Sequence, residues 1–161
     1  MIKLQAGDNA PDFALADWHG RTVRLADYAR RRLILYFYPA ALSPGCTVEA
    51  KDFNQALPQL IAAGCAVLGV SPDPVDQLRR FATANDLTFD LASDPDHATM
   101  IAYGAYGPRN LYGKTINTVL RSTIVLDVAG DGSASVVSAQ YQVRASGHVA
   151  RLQAQLSQLG S

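Results

Sequence analysis

Cys46 stands three residues after Ser43 in the run Leu35-Tyr36-Phe37-Tyr38-Pro39-Ala40-Ala41-Leu42-Ser43-Pro44-Gly45-Cys46-Thr47-Val48-Glu49. That spacing gives the cysteine chemistry. Ser43 is a good N-cap, and Pro44 suits the first helical position, where its missing N–H costs nothing. Cys46 then takes the third helical position, in the field of the helix N-terminus and beside amides without intrahelical partners. Both favour a thiolate, which is the nucleophilic form; a free thiol with pKa ~8.5 is only a few per cent ionised near pH 7. The same residues also describe a plain helix start with a small buried hydrophobe at 46. Placement alone leaves both readings open.

The elements that must hold this segment are legible on either side. Leu33 to Tyr38 is an unbroken apolar run, long enough for a central strand and too short for a membrane span. Pro39 cannot donate to a ladder and ends it. Phe13-Ala14-Leu15 and Thr22 to Leu25 flank the turn cluster Asp17 to Gly20 and predict an edge hairpin; Ala26 to Ala29 predicts a helical turn. After Cys46, Val48, Phe53, Leu57, Leu60 and Ile61 continue a helix that Pro58 should kink and Gly64 should stop. Cys65 to Ser71 is a second buried strand. Asp73-Pro74 is placed to cap a helix to about Asn85, Leu87 to Leu91 is a short strand, and Asp94-Pro95 opens a helix to about Tyr103. Gly104 to Asn117 reads as a long loop in which Tyr103, Tyr106 and Tyr112 pack, and Val119 to Val128 as a strand. Ser133 to Gln140 alternates as a half-buried strand should, and Ser146 caps a last helix carrying Val149, Leu152, Leu156 and Leu159. The order predicts a mixed central sheet with helices on both faces and right-handed crossovers. In such sheets sites form beyond the carboxyl ends of the parallel strands, where Cys46 falls.

The 161 residues suit one domain, 1–161, with 48% apolar and 17% charged residues. Fourteen basic residues balance fourteen acidic ones, which argues against nucleic acid and anionic membranes as partners. The basic run Arg30-Arg31-Arg32 reads as a solvated strand entry. With no apolar signal core at the start and no spanning segment, the expectation is a cytoplasmic protein. Two cysteines make no disulfide framework. His19, His97 and His148 lack partners at metal-ligand spacing, so no metal is assigned, and His19 and His148 read as surface residues. Gly104 to Gly113 with Lys114 lacks the phosphate-loop spacing, so no cofactor is expected.

Tyr36-Phe37-Tyr38-Pro39 followed by Ser43-Pro44-Gly45-Cys46-Thr47-Val48-Glu49 resembles the active-site segment of peroxiredoxins, and most of all their bacterioferritin comigratory protein (PrxQ) branch. The likeness covers nearly the whole chain: Ala6-Gly7-Asp8 with Pro11-Asp12-Phe13, Leu68 to Asp73, and Tyr112-Gly113-Lys114-Thr115 followed by Arg121-Ser122-Thr123 resemble the family's opening, second strand end and late loop. The resemblance implies a thioredoxin-like fold and thiol-dependent reduction of hydrogen peroxide and small organic hydroperoxides. It makes Cys46 the peroxidatic nucleophile, which becomes a sulfenic acid. Ser43 would hold the thiolate and the peroxide, Pro39 would wall the pocket, and Arg121 would stabilise the thiolate and polarise the peroxide. By strand pattern alone, Arg121 would be a surface residue. Glu49, one turn on from Cys46, either orients Arg121 or is a solvated acid that suits the helix dipole.

The chain departs from that branch in its second thiol. Many members carry a resolving cysteine five residues after the first, where this chain has Lys51, or on the next helix, where it has Ala82 and Ala84. The other cysteine, Cys65, starts a strand whose far end is near the site, roughly 20 Å away at about 3.3 Å per residue. A disulfide needs Cα atoms within about 7 Å. The expectation is therefore a buried structural Cys65, a minor possibility as resolver, and a one-cysteine mechanism. Thioredoxin, glutaredoxin or a low-molecular-weight thiol would be the reductant, and the chain a monomer or weak homodimer. The alternative function is a redox sensor or adaptor that passes the oxidised state of Cys46 to a partner by disulfide exchange. A Cys-X-X-Cys reductase is disfavoured because Glu49 stands where the second cysteine would be. Ala40, Ala41 and Leu42 suggest only an apolar rim.

Overall fold

Strand β3 (Arg32–Phe37) is the axis of the molecule, and its sequence explains why. Leu33 through Tyr38 are all buried. Ile34, Tyr36 and Tyr38 point into one core while Leu33, Leu35 and Phe37 point into the other. A strand apolar on both faces must sit between two layers. β4 (Cys65–Ser71) lies parallel to β3, with Arg32 opposite Cys65 and Phe37 opposite Val70. The computed structural model describes residues 3–41 and 43–159; Leu42 of the expected rim and the side chain of Leu159 lie outside the described residues.

The rest of the sheet grows outward from that pair. On one side come β5 (Asp90–Ser93), parallel to β4, and then the N-terminal hairpin β1 (Ala14–Asp17) and β2 (Thr22–Arg24) at the edge. On the other side β8 (Ser122–Val128) runs antiparallel to β3 and carries β9 (Ala134–Gln140). The seven strands stand in the order β2-β1-β5-β4-β3-β8-β9. Helices α1 (Pro44–Ala62), α2 (Val75–Ala84) and α4 (His148–Leu159) contribute to the core on the Tyr36 face. There Phe53 of α1 stacks on Tyr36 at 4.6 Å. The Phe37 face is covered by the short α3 (Ala98–Ala102) and by Phe13 of the N-terminal segment.

Several expectations are corrected in detail. The segment read as a long loop contains a second sheet, β6 (Tyr106–Leu111) against β7 (Lys114–Val119), turned by Tyr112 and Gly113. Both turn residues have positive φ, 52° and 78°, as the two-residue turn matching strand twist requires. Tyr at such a φ is unusual, which hid the turn. Tyr112 is fully exposed at the tip, whereas Tyr103 is buried and donates to the Pro11 carbonyl. β5 begins three residues later than expected, and α3 starts at Ala98, not after Pro95, with the Asp94 carboxylate accepting from the amides of Thr99 and Met100. α4 begins two residues beyond Ser146. α1 runs through Pro58 as one helix.

Candidate active site

The N-terminus of α1 forms as its residues dictate. Ser43 is the N-cap, and its Oγ accepts from the Cys46 amide at 3.4 Å and donates to the Ala40 carbonyl at 3.0 Å. The Ser43 carbonyl accepts from the amide and hydroxyl of Thr47. Among the described residues Ser43 makes no hydrogen bond to the Cys46 sulfur; its hydroxyl is spent on backbone. The loop between β3 and α1 is tied down from β4. The Asp73 carboxylate accepts from the Ala41 amide at 2.6 Å and from the Ser71 hydroxyl at 2.8 Å. Of the pair Asp73-Pro74 that the sequence places at the start of α2, Pro74 holds the cap position, and the Asp73 carboxylate anchors the site loop instead.

Cys46 is 1% exposed and is held by Arg121, whose Nη2 lies 3.2 Å from Sγ. The other guanidinium arm, Nη1, donates to Glu49 Oε1 at 2.7 Å. Arg121 is not inside a strand. It lies in the two-residue step between β7 and β8, and its carbonyl accepts from the Val143 amide. That step turns its side chain inward under α1. Glu49 is not a solvated acid: it is wholly buried, and its Oε2 has no partner among the described residues. Burial pushes its carboxyl up to about 7, Arg121 pulls against that rise, and Asp52 adds to it. Burial also works against the charge on Arg121, but Glu49 and Cys46 outweigh it and hold the guanidinium above its usual value.

Outside this cluster the structure brings Pro39 to the wall of a groove of about 730 Å³, together with Pro44, Val48 and Arg121. It does not bring Cys65 there. Cys65 is buried at the opposite end of the β3–β4 ladder, opposite Arg32, and both cysteines are free thiols. Burial pushes the Cys65 thiol up, away from reactivity, against the opposing effect of Arg32. No group of three or more His, Cys, Asp or Glu among the described residues could hold a metal.

Two site features escaped the sequence reading. His148 was expected at the surface but is 2% exposed, with Nε2 2.8 Å from Thr123 Oγ1, one strand alternation from Arg121. Burial, with Arg151 and Arg121 adding to it, lowers its pKa to about 4 and keeps the imidazole neutral. Gly45 is the second. A Cβ there would lie 3.3 Å from Arg121 Nη2 and 3.7 Å from Ala145 Cβ, so the bare backbone leaves room for the guanidinium. The glycine beside the cysteine was a visible signal; nothing in the sequence joined His148 to Thr123.

Residues 6–131 match the model of the AhpC/TSA family. A putative peroxiredoxin of Mycobacterium tuberculosis is 50% identical over 96% of both chains. Peroxiredoxin Bcp of Escherichia coli K12 is 41% identical over 81% of this chain and 83% of its own. Among solved structures, the bacterioferritin comigratory protein of Xanthomonas campestris superposes with a TM-score of 0.84 at 34% identity, covering 92% of each chain. A cysteine-to-serine mutant of PrxQ from Xylella fastidiosa superposes at 0.87 with 28% identity, covering 98% of each. The fold is thus thioredoxin-like, a mixed sheet flanked by helices, and the chain belongs to the AhpC/TSA family, as a thiol-dependent peroxidase of its peroxiredoxin group.

Proposed function

We propose that this chain, read as one domain, reduces hydrogen peroxide and small organic hydroperoxides by a one-cysteine cycle at Cys46. The observation that carries the reading is the guanidinium bridge, Arg121 Nη2 to Sγ and Nη1 to Glu49. Displacement on an O–O bond needs an ionised sulfur and donors beside the reacting atoms. A guanidinium stays charged and presents several donors in a fixed fork. The Cys46 thiolate attacks one peroxide oxygen; the other leaves as water or an alcohol after taking a proton, and the sulfur becomes a sulfenic acid. Arg121 holds the thiolate and polarises the peroxide. Pro39 walls the approach, and Ser43 fixes the helix turn that presents the sulfur. Glu49 acts as a positioning residue for Arg121. The Xanthomonas campestris relative is described through its alkyl peroxide reduction activity, which supports organic hydroperoxides as substrates.

With Lys51 at the exposed fifth position after Cys46 and Cys65 at the far end of the ladder, the sulfenic acid must meet an outside thiol. Thioredoxin, glutaredoxin and small thiols are the candidates in a cytoplasmic role in redox homeostasis. No helix among the described residues is long and apolar enough to cross a membrane. We read the working unit as a monomer or weak homodimer.

The test is intact mass after one equivalent of peroxide without reductant. Wild type and Cys65→Ser should each gain one oxygen, and Cys46→Ser none. An internal disulfide that Cys65→Ser prevents would overturn the one-cysteine cycle. Repeated turnover with a recycling thiol distinguishes the enzyme from a sensor that passes on its oxidation once.

A further inference from the structure

The groove over Arg121 carries more positive charge than peroxide reduction needs. Arg109 of β6 and Arg144 of the segment before α4 both line it, and both are exposed. Neither forms an ion pair among the described residues, and none of the groove's described lining residues is an Asp or Glu. Peroxide fills a small part of about 730 Å³; that volume suits a ligand of drug size. The rest of the lining mixes apolar Pro44, Val48 and Val143 with polar Gln142 and Ser146. The Cys46 sulfur does not itself line the groove; it is 1% exposed and lies 3.2 Å behind the Arg121 guanidinium that does, a recess that a small thiol enters more readily than a cysteine on a flat protein surface.

We propose that the groove seats the reductant, a low-molecular-weight thiol bearing a carboxylate or similar anion, with Arg109 and Arg144 binding that anion. This rests on the peroxidase reading and names the outside thiol it requires. The thiolate of the small molecule attacks the sulfenic sulfur of Cys46; an S–S bond forms, the S–O bond breaks, and the hydroxyl leaves as water with one proton. A second molecule attacks the outer sulfur of the mixed disulfide. That releases the small-molecule disulfide and regenerates the Cys46 thiolate, so two thiols supply the two electrons the peroxide took.

The experiment separates the two half-reactions. Cys46 is first oxidised with one equivalent of peroxide, and intact mass checks the oxygen gained; failure here counts against the peroxidase reading. The sulfenic protein is then mixed with 3-mercaptopropionate, 2-mercaptoethanol or cysteamine, and each rate is normalised to thiolate concentration. The anionic thiol should react several-fold faster than the neutral one, and the cationic thiol slowest, as two exposed charge pairs allow. Mixed disulfide with 3-mercaptopropionate should appear at Cys46. In Arg109→Gln/Arg144→Gln the anionic-to-neutral ratio should fall toward one, and added salt should lower it in wild type. An anionic-to-neutral ratio near one in wild type, or a ratio the double variant leaves unchanged, overturns the proposal. So does charge selectivity confined to oxidation by anionic hydroperoxides, or reduction only by a protein dithiol.

Discussion

Arg121, half-buried, and Glu49, wholly buried, form an ion pair in which one carboxylate oxygen is bonded at 2.7 Å and the other is left without a partner among the described residues. The pair's value is geometric. Its Nη1 contact fixes the fork, so that Nη2 falls 3.2 Å from the Cys46 sulfur. A lysine has one nitrogen and cannot serve both positions. Arg121→Lys should slow Cys46 oxidation by on the order of a hundredfold or more, the usual cost of losing a placed donor. Arg121→Gln should also lower stability, by about 1–3 kcal/mol, because the buried Glu49 carboxyl loses its partner and takes a proton instead. Glu49→Gln in that background should recover stability but not rate. Stopped-flow oxidation and urea unfolding check the two halves.

The pH dependence of stability follows from Glu49 and His148, which pull in opposite directions. The folded carboxyl of Glu49, near 7, lies above its ordinary 4.5. Its folded form therefore holds a proton that the unfolded chain releases, and its contribution is lost as pH rises from about 4.5 to 7. His148, near 4, lies below its ordinary 6.5, so its contribution is full above 6.5 and lost as pH falls toward 4. Between these limits the two offset each other, each worth roughly 3 kcal/mol at most. Relative to wild type, Glu49→Gln should make stability rise more steeply with pH from about 4.5 to 6.5, and His148→Gln should make it fall. Urea midpoints across that range read the slopes.

Absence of a nearby second thiol should leave the sulfenic acid open to further oxidation. Excess peroxide without thiol should add a second oxygen to Cys46, giving a sulfinic acid that ordinary thiols do not reverse. Cys65, buried and with its pKa pushed up, should gain none while the protein stays folded. Peptide mapping locates the oxygens.

Much of this was readable in advance because local chemistry and tertiary structure agree there. The apolar run ending at Pro39, the cap at Ser43 and Pro44, and the strand beginning at Cys65 each need only neighbouring residues to be recognised. What was missed depends on partners far along the chain. Glu49 looks like any solvated acid near a helix start until Arg121, 72 positions away, is folded over it. His148 looks solvated until α4 lays it on Thr123. The β6–β7 hairpin hid because its turn puts a tyrosine at positive φ, against the usual residue preference.

Gly45 gives the sharpest separation of stability from activity. Alanine is the better helix former by roughly 1 kcal/mol, so Gly45→Ala should leave α1 as stable or more so. Yet the new methyl would sit 3.3 Å from Arg121 Nη2, closer than most side-chain contacts, and the guanidinium must give by a few tenths of an ångström. Glu49 holds the other arm, so the shift falls mainly on the contact with sulfur. The variant should unfold at the wild-type urea concentration or above, and oxidise several-fold more slowly. Wild-type oxidation rates in Gly45→Ala would mean that the Nη2 contact tolerates displacement and that Arg121 acts through its charge alone. A loss of rate accompanied by an equal loss of stability would place the fault in the helix turn instead.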